Sequence, residues 1–219
     1  MVAQSPDVVS TVPGRLLTDP AWVAARVGEM SRAWGTETPR VGGTLWWCMV
    51  ASALVDQITA AYAAGVAAPI AALDELDCEI RPDGGVEHVR FRSTVALASA
   101  ADRAAAAEAV GTALRDTLTA VIAQVAAVSG AGVPALWAVV TDAIGNRALD
   151  AGAPAAATRL AGEVGSRLLA PRFVTVGERT FVKRLSCCLV YEVPGCQMCT
   201  SCPKRPAAER AALLAEAAG

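Results

Sequence analysis

The amino-acid sequence predicts a mainly α-helical protein with a small β portion, an α+β fold whose helical domain leads into a cysteine-rich C-terminal loop. Two observations support this prediction. Apolar residues make up 54% of the 219 residues while aromatic residues make up only 5%, and such an alanine-rich composition favours helix over sheet. Apolar side chains also recur at steps of three and four along most of the chain, and alternate with period two over one short stretch.

The first two predicted helices have clear start and stop signals. Asp19-Pro20 supplies an N-cap followed by proline at the first helical position, and Gly35 ends the helix after Trp34. A second helix begins near Val41 and is closed by a glycine at residue 65.

The spacing of apolar residues changes from helical to alternating between residues 76 and 94. Residues 78–81 and 86–92 alternate between apolar and polar side chains on either side of an Asp83-Gly84 turn. This pattern predicts a β-hairpin.

Three further helices are predicted downstream of the hairpin. Residues 101–128 carry one apolar stripe at helical spacing, and two more helices begin at Val133-Pro134 and after Pro154. The polar face of the last of these is expected to carry an ion row, formed by Arg159, Glu163 and Arg167.

The chain shows no internal repeat and no linker long enough to divide it, so we expect one compact unit. Residues 1–18 are expected to form a loose leader, and residues 19–172 a helical domain that contains the hairpin near 76–94. Residues 173–219 are expected to form a C-terminal segment with two short β-like runs, the cysteine-rich loop and a terminal alanine-rich helix.

Charge and hydropathy narrow the function classes. The formal net charge is only −2, so no overall field attracts nucleic acid, which is not an expected partner. The longest apolar stretch, residues 41–73, is interrupted by Asp56 and Gln57 and predicts a buried or interfacial helix rather than a transmembrane segment. The first residues lack the pattern of a signal peptide. The expected location is therefore cytoplasmic, with peripheral attachment at the inner face of the membrane left open.

Five of the seven cysteines lie within residues 186–203. Cys187-Cys188 and Cys199-x-x-Cys202 form two arms, and a Pro-Gly turn between them brings one arm back toward the other. Four sulfurs with the spacing C-C-x10-C-x2-C can hold tetrahedral zinc or an iron–sulfur cluster. The spacing leaves these two open, and a disulfide is less expected in a reducing compartment.

The adjacent cysteines are the unusual part of this motif. Neighbouring side chains of an extended chain point to opposite faces, so the backbone has to bend if Cys187 and Cys188 are to reach one site. A [2Fe–2S] cluster spreads its ligands over two irons, and we expect it to tolerate neighbouring thiolates better than a single zinc ion does.

Residues 181–191, Pro194-Gly195 and residues 199–203 together resemble the C-terminal signature of the FhuF-type ferric iron reductases. Residues 133–137, with an aspartate following at 142, resemble the helix that precedes the cluster domain in that family. The resemblance implies a [2Fe–2S] cluster whose ligands are Cys187, Cys188, Cys199 and Cys202. Cys196 lies in the spacer, where the family pattern requires no cysteine, and is expected to be a bystander or a spare ligand.

The resemblance also implies a function, the one-electron reduction of Fe(III) in ferric siderophores with release of Fe(II). Hard oxygen donors bind Fe(III) more strongly than Fe(II), so one electron loosens the complex. The expected partners are a ferric siderophore and an electron donor such as a ferredoxin. The alternatives are a zinc-stabilised helical interaction module and an iron–sulfur redox sensor or accessory protein.

Two sets of residues are candidates for docking. A basic concentration flanks the loop and could steer an anionic siderophore or an acidic donor; it consists of Lys183, Arg184, Lys204 and Arg205. Trp46 and Trp137 could line a siderophore pocket. The alternative interpretations are solvated charge and core packing. Cys48 and Cys78 are expected to be buried bystanders, and His88 is not an expected ligand.

Overall fold

The computed structural model of the chain describes residues 8–95, 100–165 and 167–219. Over these residues the chain forms six α-helices, one three-stranded antiparallel sheet and two two-stranded ones. The predicted fold class is therefore confirmed.

Helices account for most of the described chain, and short strands flank or connect them. The helices are α1 (Pro20–Trp34), α2 (Pro39–Ala64), α3 (Ala100–Ser129), α4 (Val133–Asp150), α5 (Pro154–Val164) and α6 (Ala207–Ala218). The strands are β1 (Ser10–Pro13), β2 (Ala68–Pro69), β3 (Leu76–Ile80), β4 (Val86–Phe91), β5 (Thr94–Val95), β6 (Phe173–Val176) and β7 (Arg179–Val182).

Helix α2 is the centre of the core, in contact with α1, α3, α4 and α5. Its adjacent residues Trp46 and Trp47 are both fully buried, which is possible because other elements cover α2 on several sides. Their indole N–H groups donate to the carbonyl oxygens of Gly84 and Leu136, each at 2.9 Å, so neither buried polar atom is left unpaired. Within the described residues α2 is the one helix long and apolar enough to cross a membrane, but 72% of its most apolar window is buried inside the fold. It therefore packs as a core helix.

The N-terminal region differs from the expected loose leader. Ser10–Pro13 pairs antiparallel with β3, in a sheet of order β1-β3-β4. The added strand satisfies the backbone groups along the edge of the β3–β4 hairpin. A four-residue strand shows too few alternations to be recognised from sequence. Residues 1–7 lie outside the described residues.

The ion row expected after Pro154 does not form. Helix α5 ends at Val164 because Gly165 adopts a φ of 95°, which places Arg167 beyond the helix. Arg159 instead donates to the carbonyl oxygen of Tyr62 at 2.8 Å and ties α5 to α2.

The β6–β7 hairpin packs on α4 and leads into the cysteine-rich loop. Gly145 allows this packing, since a Cβ at that position would crowd the side chains of Val182 and Pro171. The hairpin thereby sets where the loop begins on the surface of α4.

Gly111 on α3 lies against the backbone of Glu163 on α5, so an added Cβ would overlap the Glu163 carbonyl group. Because backbone atoms cannot rotate away, Gly111→Ala is expected to lower the free energy of unfolding by about 1–3 kcal/mol. Thermal unfolding followed by circular dichroism measures this change.

Gly162→Ala is the matched control, because that glycine lies on α5 with nothing within 4 Å of an added Cβ. It is expected to leave stability unchanged or raise it by about 0.5–1 kcal/mol through helix propensity. Equal destabilisation by the two substitutions would contradict the close approach of α3 and α5.

Candidate metal centre

The cysteine-rich loop lies between β7 and α6 and rests on the core. Leu189 and Val193 are buried in the same core cluster as α2 and α4. An ion pair of 2.6 Å between Arg40 and Glu192 fastens the loop to the start of α2. The loop is therefore held both by apolar packing on the core and by an ion pair.

The structure brings four of the loop cysteines together as two pairs. The sulfurs of Cys187 and Cys202 are 3.8 Å apart, and the thiols of Cys188 and Cys199 are hydrogen-bonded to each other. Each pair joins one residue of the first arm to one residue of the C-x2-C arm. The Pro-Gly turn between the arms, with Gly195 at a φ of 80°, makes this return possible.

Leu189 supplies the bend that the adjacent cysteines require. Its φ is 63°, the one positive φ at a non-glycine residue in the described part of the chain. A short 3₁₀ turn, Val190–Glu192, follows it. The backbone N–H groups of Leu189 and Val190 then donate to the sulfurs of Cys187 and Cys188. Such strain persists where the surrounding structure fixes the backbone, and it is common at functional sites.

The electrostatic environment favours a thiolate at Cys188. A hydrogen bond from Cys199, a backbone N–H and the charge of Arg184 together lower the pKa of Cys188 to about 5, against the opposing effect of burial. The pKa of Cys199 is raised, because the proton it shares with Cys188 and its burial both favour the neutral thiol. Burial also raises the pKa of Cys187. One thiolate of the Cys188–Cys199 pair is thus ready to bind a metal.

The pairwise arrangement fits a binuclear cluster better than a single zinc ion. Two thiolates on one tetrahedral metal with bonds of about 2.3 Å stand roughly 3.8 Å apart, which is the separation of Cys187 and Cys202. A single tetrahedral zinc ion would draw all four sulfurs to one point. A [2Fe–2S] cluster instead takes two protein ligands on each iron.

Asp142 of α4 holds the start of the loop. Its side chain is only 5% exposed and accepts hydrogen bonds from the N–H groups of Leu185 and Ser186 and from the Ser186 hydroxyl, at 2.9, 2.8 and 2.6 Å. A buried carboxylate is tolerated when it is bonded in this way. Residues 185 and 186 are thereby fixed immediately before the paired cysteines.

Arg184 connects Asp142 to the cysteines. Its Nε lies 3.5 Å from the Asp142 carboxylate and its Nη1 lies 3.3 Å from the sulfur of Cys199. With 17% of its side chain exposed, it faces the protein rather than solvent. The sequence offered Arg184 as a docking residue, whereas the structure places its guanidinium beside the sulfur of Cys199.

The other basic candidates have different surroundings. The Arg205 guanidinium donates to the carbonyl oxygens of Cys199 and Met198, at 2.9 and 2.5 Å, and braces the C-x2-C arm from within. Lys204 is exposed, with its Nζ 5.4 Å from the centre of the Tyr191 ring. Lys183 is also exposed. Lys183 and Lys204 therefore present their charges to solvent, whereas Arg205 does not.

The tryptophan candidates lie in the core. Trp46 has no exposed surface and packs edge-on against Trp22, with ring centroids 6.2 Å apart. This burial leaves Trp46 no surface for docking. Trp137 is buried as well but borders a small surface cavity near Val133 and Leu169, away from the cysteines. The adjacent-tryptophan pattern of α2 reflects packing on several sides of one helix.

Cys48 is the residue that sequence reasoning missed. The charged and titratable groups that act on its thiol are those of Cys188, Arg184, Asp142 and Cys187, and burial raises its pKa to about 12. It therefore lies beside the cysteine pairs from α2, although 139 residues separate it from Cys187. No local pattern in the sequence signals this contact.

Cys196 remains outside the two pairs. It is half-buried and packs against the core, and no described hydrogen bond joins its sulfur to another cysteine.

Comparison with known families identifies the loop. Residues 184–204 match the family model described as the FhuF 2Fe–2S C-terminal domain. This confirms the resemblance of the tail, and the cofactor of this domain is a [2Fe–2S] cluster. The match covers the whole C-C-x10-C-x2-C motif and does not reach the weaker similarity at residues 133–142. A comparison with curated proteins finds no match.

Asp142→Asn is expected to destabilise the loop and the fold together. The substitution leaves Arg184 without its counterion in a poorly solvated position, and breaking a buried pair costs about 3–5 kcal/mol. We expect the free energy of unfolding to fall by about that amount in urea titration. Asp150→Asn on the same helix is the control, since Asp150 is largely exposed, and its effect should stay within about 0.5 kcal/mol. Equal losses in the two variants would contradict the anchoring role of Asp142.

Proposed function

We propose that this protein, whose residues 184–204 form a FhuF-type 2Fe–2S C-terminal domain, reduces Fe(III) in ferric siderophores by one-electron transfer. The observation that supports this most directly is the presence, within the matched segment, of two cysteine pairs placed by a strained turn. The reaction needs neither a nucleophile nor a general base, because the coordination bonds of the siderophore weaken once Fe(III) becomes Fe(II).

Four cysteines would hold the cluster, with Cys187 and Cys202 as one pair and Cys188 and Cys199 as the other. When bound, the cluster supplies single electrons, which is the unit that the reduction of Fe(III) requires. The lowered pKa of Cys188 favours the thiolate, which is the form in which a cysteine binds a metal.

The surrounding residues position and polarise the ligand sulfurs. The N–H groups of Leu189 and Val190 donate to the first arm, and Arg184 donates to Cys199 at 3.3 Å. Donors and a positive charge next to the sulfurs stabilise the more negative, reduced state and raise the reduction potential. Asp142 keeps Arg184 in this position and so acts as a positioning residue.

The reducing equivalents are proposed to come from another one-electron protein, such as a ferredoxin. The glycine pairs of the sequence lack the strand–loop–helix context of a dinucleotide cradle. The proposed location is the cytoplasm, where released Fe(II) would be available for use.

The ligand set is tested by single substitutions. Replacing any one of Cys187, Cys188, Cys199 and Cys202 with serine is expected to abolish or strongly alter the visible absorption of anaerobically purified protein and to lower its iron and sulfide content. Cys196→Ser is the control from the same loop and should leave the spectrum nearly unchanged. Loss of the cluster in Cys196→Ser, with retention in one of the other four variants, would show that the proposed quartet is wrong.

The activity is tested by stopped-flow mixing of the reduced protein with ferric siderophores under anaerobic conditions. We expect the absorption of the oxidised cluster to return, with one Fe(II) trapped by a ferrous chelator for each cluster oxidised. A reduced spectrum that persists for minutes in the presence of every chelate tested would contradict the reductase and favour a redox sensor. Protein that contains zinc and has no visible absorption would favour the interaction module.

A further inference from the structure

A cleft of about 370 Å³ opens directly beside the cysteine-rich loop, between the β6–β7 hairpin and α6. Two of its lining residues, Ser201 and Pro203, flank Cys202 in the chain. A third, Arg184, donates to the sulfur of Cys199 at 3.3 Å. The wall of the cleft and the C-x2-C arm are therefore built partly from the same residues. A protein that docks over the cleft would lie next to the proposed cluster, where a short distance favours electron transfer.

Three positive side chains in or beside the cleft, which we call the basic rim, have no acidic partner. Lys183 and Arg210 line the cleft, and Lys204 is exposed immediately after Pro203. Within residues 8–95, 100–165 and 167–219, none of the three lies within 4 Å of a carboxylate. The described residues that line the cleft include no acidic side chain.

The glutamates of the loop and of the first turn of α6 are already paired with other arginines. Glu192 is the one acidic residue between positions 183 and 206, and it binds Arg40 at 2.6 Å. Glu209, in the first turn of α6, binds Arg205. The basic rim is therefore a local excess of positive charge on a chain whose formal net charge is −2. Such an excess attracts an acidic surface over a long range.

The floor of the cleft is apolar and consists of aliphatic side chains from both strands of the hairpin and from α6. They are Val174, Val176, Val182 and Leu214. Ala211 lines the exposed side and adds little bulk there, so the cleft stays open to solvent. An apolar side chain of a partner gains free energy when it is buried on such a floor. Anchors of this kind commonly lie in a pocket at the centre of a protein interface.

A second cleft, of about 430 Å³, borders Cys48 and has a different electrostatic character. Arg147 is the one arginine or lysine among the described residues that line it. Its guanidinium lies 3.6 Å from the carboxylate of Asp56 and 3.2 Å from that of Asp150. Two carboxylates thus face one positive charge, and this cleft does not attract an acidic partner.

We propose that the cleft between the β6–β7 hairpin and α6, together with the basic rim, is the docking surface for the electron donor, an acidic one-electron carrier protein. Transient electron-transfer complexes have small interfaces, and charge complementarity speeds their encounter. One electron passes from the reduced carrier to the cluster, so the carrier is oxidised as the cluster is reduced, and no covalent bond forms or breaks. This inference rests on the proposed reductase function and adds the surface through which the reducing equivalents enter.

The docking surface is tested by stopped-flow mixing of the oxidised holoprotein with a reduced, acidic [4Fe–4S] ferredoxin, whose visible spectrum differs from that of a [2Fe–2S] centre. We expect the second-order rate constant for cluster reduction to fall steeply as salt concentration rises, because salt screens the attraction between the two surfaces. Photoreduced deazariboflavin, a small uncharged reductant, serves as the comparison that needs no docking surface. Isothermal titration calorimetry of the two oxidised proteins measures binding without electron transfer.

Three variants locate the surface. Lys183→Glu and Lys204→Glu each reverse an exposed charge of the basic rim. At low salt each is expected to slow reduction by ferredoxin about tenfold or more and to weaken binding, with no change in the rate with deazariboflavin. Ala211→Trp fills the cleft without changing any charge. It is expected to weaken binding while the salt dependence of the rate stays as it is. Arg15→Glu, an exposed charge reversal outside the cleft, is the matched control and should change neither binding nor rate.

The outcomes separate this inference from the proposed function. Ferredoxin binding and cluster reduction that weaken in the rim variants, with no electron passed on to any ferric chelate, would support the docking surface and contradict the reductase. Reduction of ferric chelates, with ferredoxin binding and rate unchanged in the rim variants, would support the reductase and overturn the surface.

Two further results would also overturn the docking surface. Equal slowing by Arg15→Glu would assign the effect to net charge, and equal slowing with deazariboflavin would assign it to the cluster itself. Rim variants that leave the ferredoxin step intact but slow oxidation of the reduced cluster by a ferric chelate would assign the cleft to the substrate instead.

Discussion

The buried carboxylate of Asp142 is the contact on which the metal centre depends. It lies on α4, which packs against the central helix α2, and it binds the two N–H groups and the hydroxyl that begin the cysteine-rich loop. An anion removed from water must be compensated by several donors, and it is the loop that supplies them. The rigid helical core thereby dictates where Cys187 and Cys188 start. Arg184 extends the same network to the sulfur of Cys199.

Strain and hydrogen bonding then shape the loop itself. The left-handed turn at Leu189 costs conformational energy that the burial of the leucine side chain and the N–H donors to two sulfurs can offset. Cys187 and Cys188 consequently reach different partners on the returning arm. A cofactor with two metal atoms suits this division, since each of two ligand pairs can serve one iron. Cys48 approaches from α2, so the core contributes a thiol next to the centre as well.

Basic residues that look equivalent in the sequence have distinct roles in the fold. Arg184 and Arg205 turn inward, where they contact the sulfur of Cys199 and the carbonyl oxygens of the C-x2-C arm. Lys183 stays exposed and, together with Arg210 of α6, faces an apolar cleft. Charges beside the proposed cluster would act on its reduction potential, whereas exposed charges would act on the approach of charged partners. A position next to the cysteine motif in the sequence does not reveal which of these two effects a basic residue has.

The sequence by itself determined the fold class, the β-hairpin after α2 and the identity of the cysteine motif, because periodicity, turn residues and local spacing are properties of short segments. It also indicated that the backbone must bend at the adjacent cysteines. Only the tertiary structure decided how the four sulfurs pair, that Asp142 and Cys48 lie next to them, and that Trp46 belongs to the core. It also showed that β1 pairs with the edge of the hairpin, although the two paired segments lie about 70 residues apart in the chain. These features depend on contacts between remote segments, and such contacts leave no periodic signal in the residues that make them.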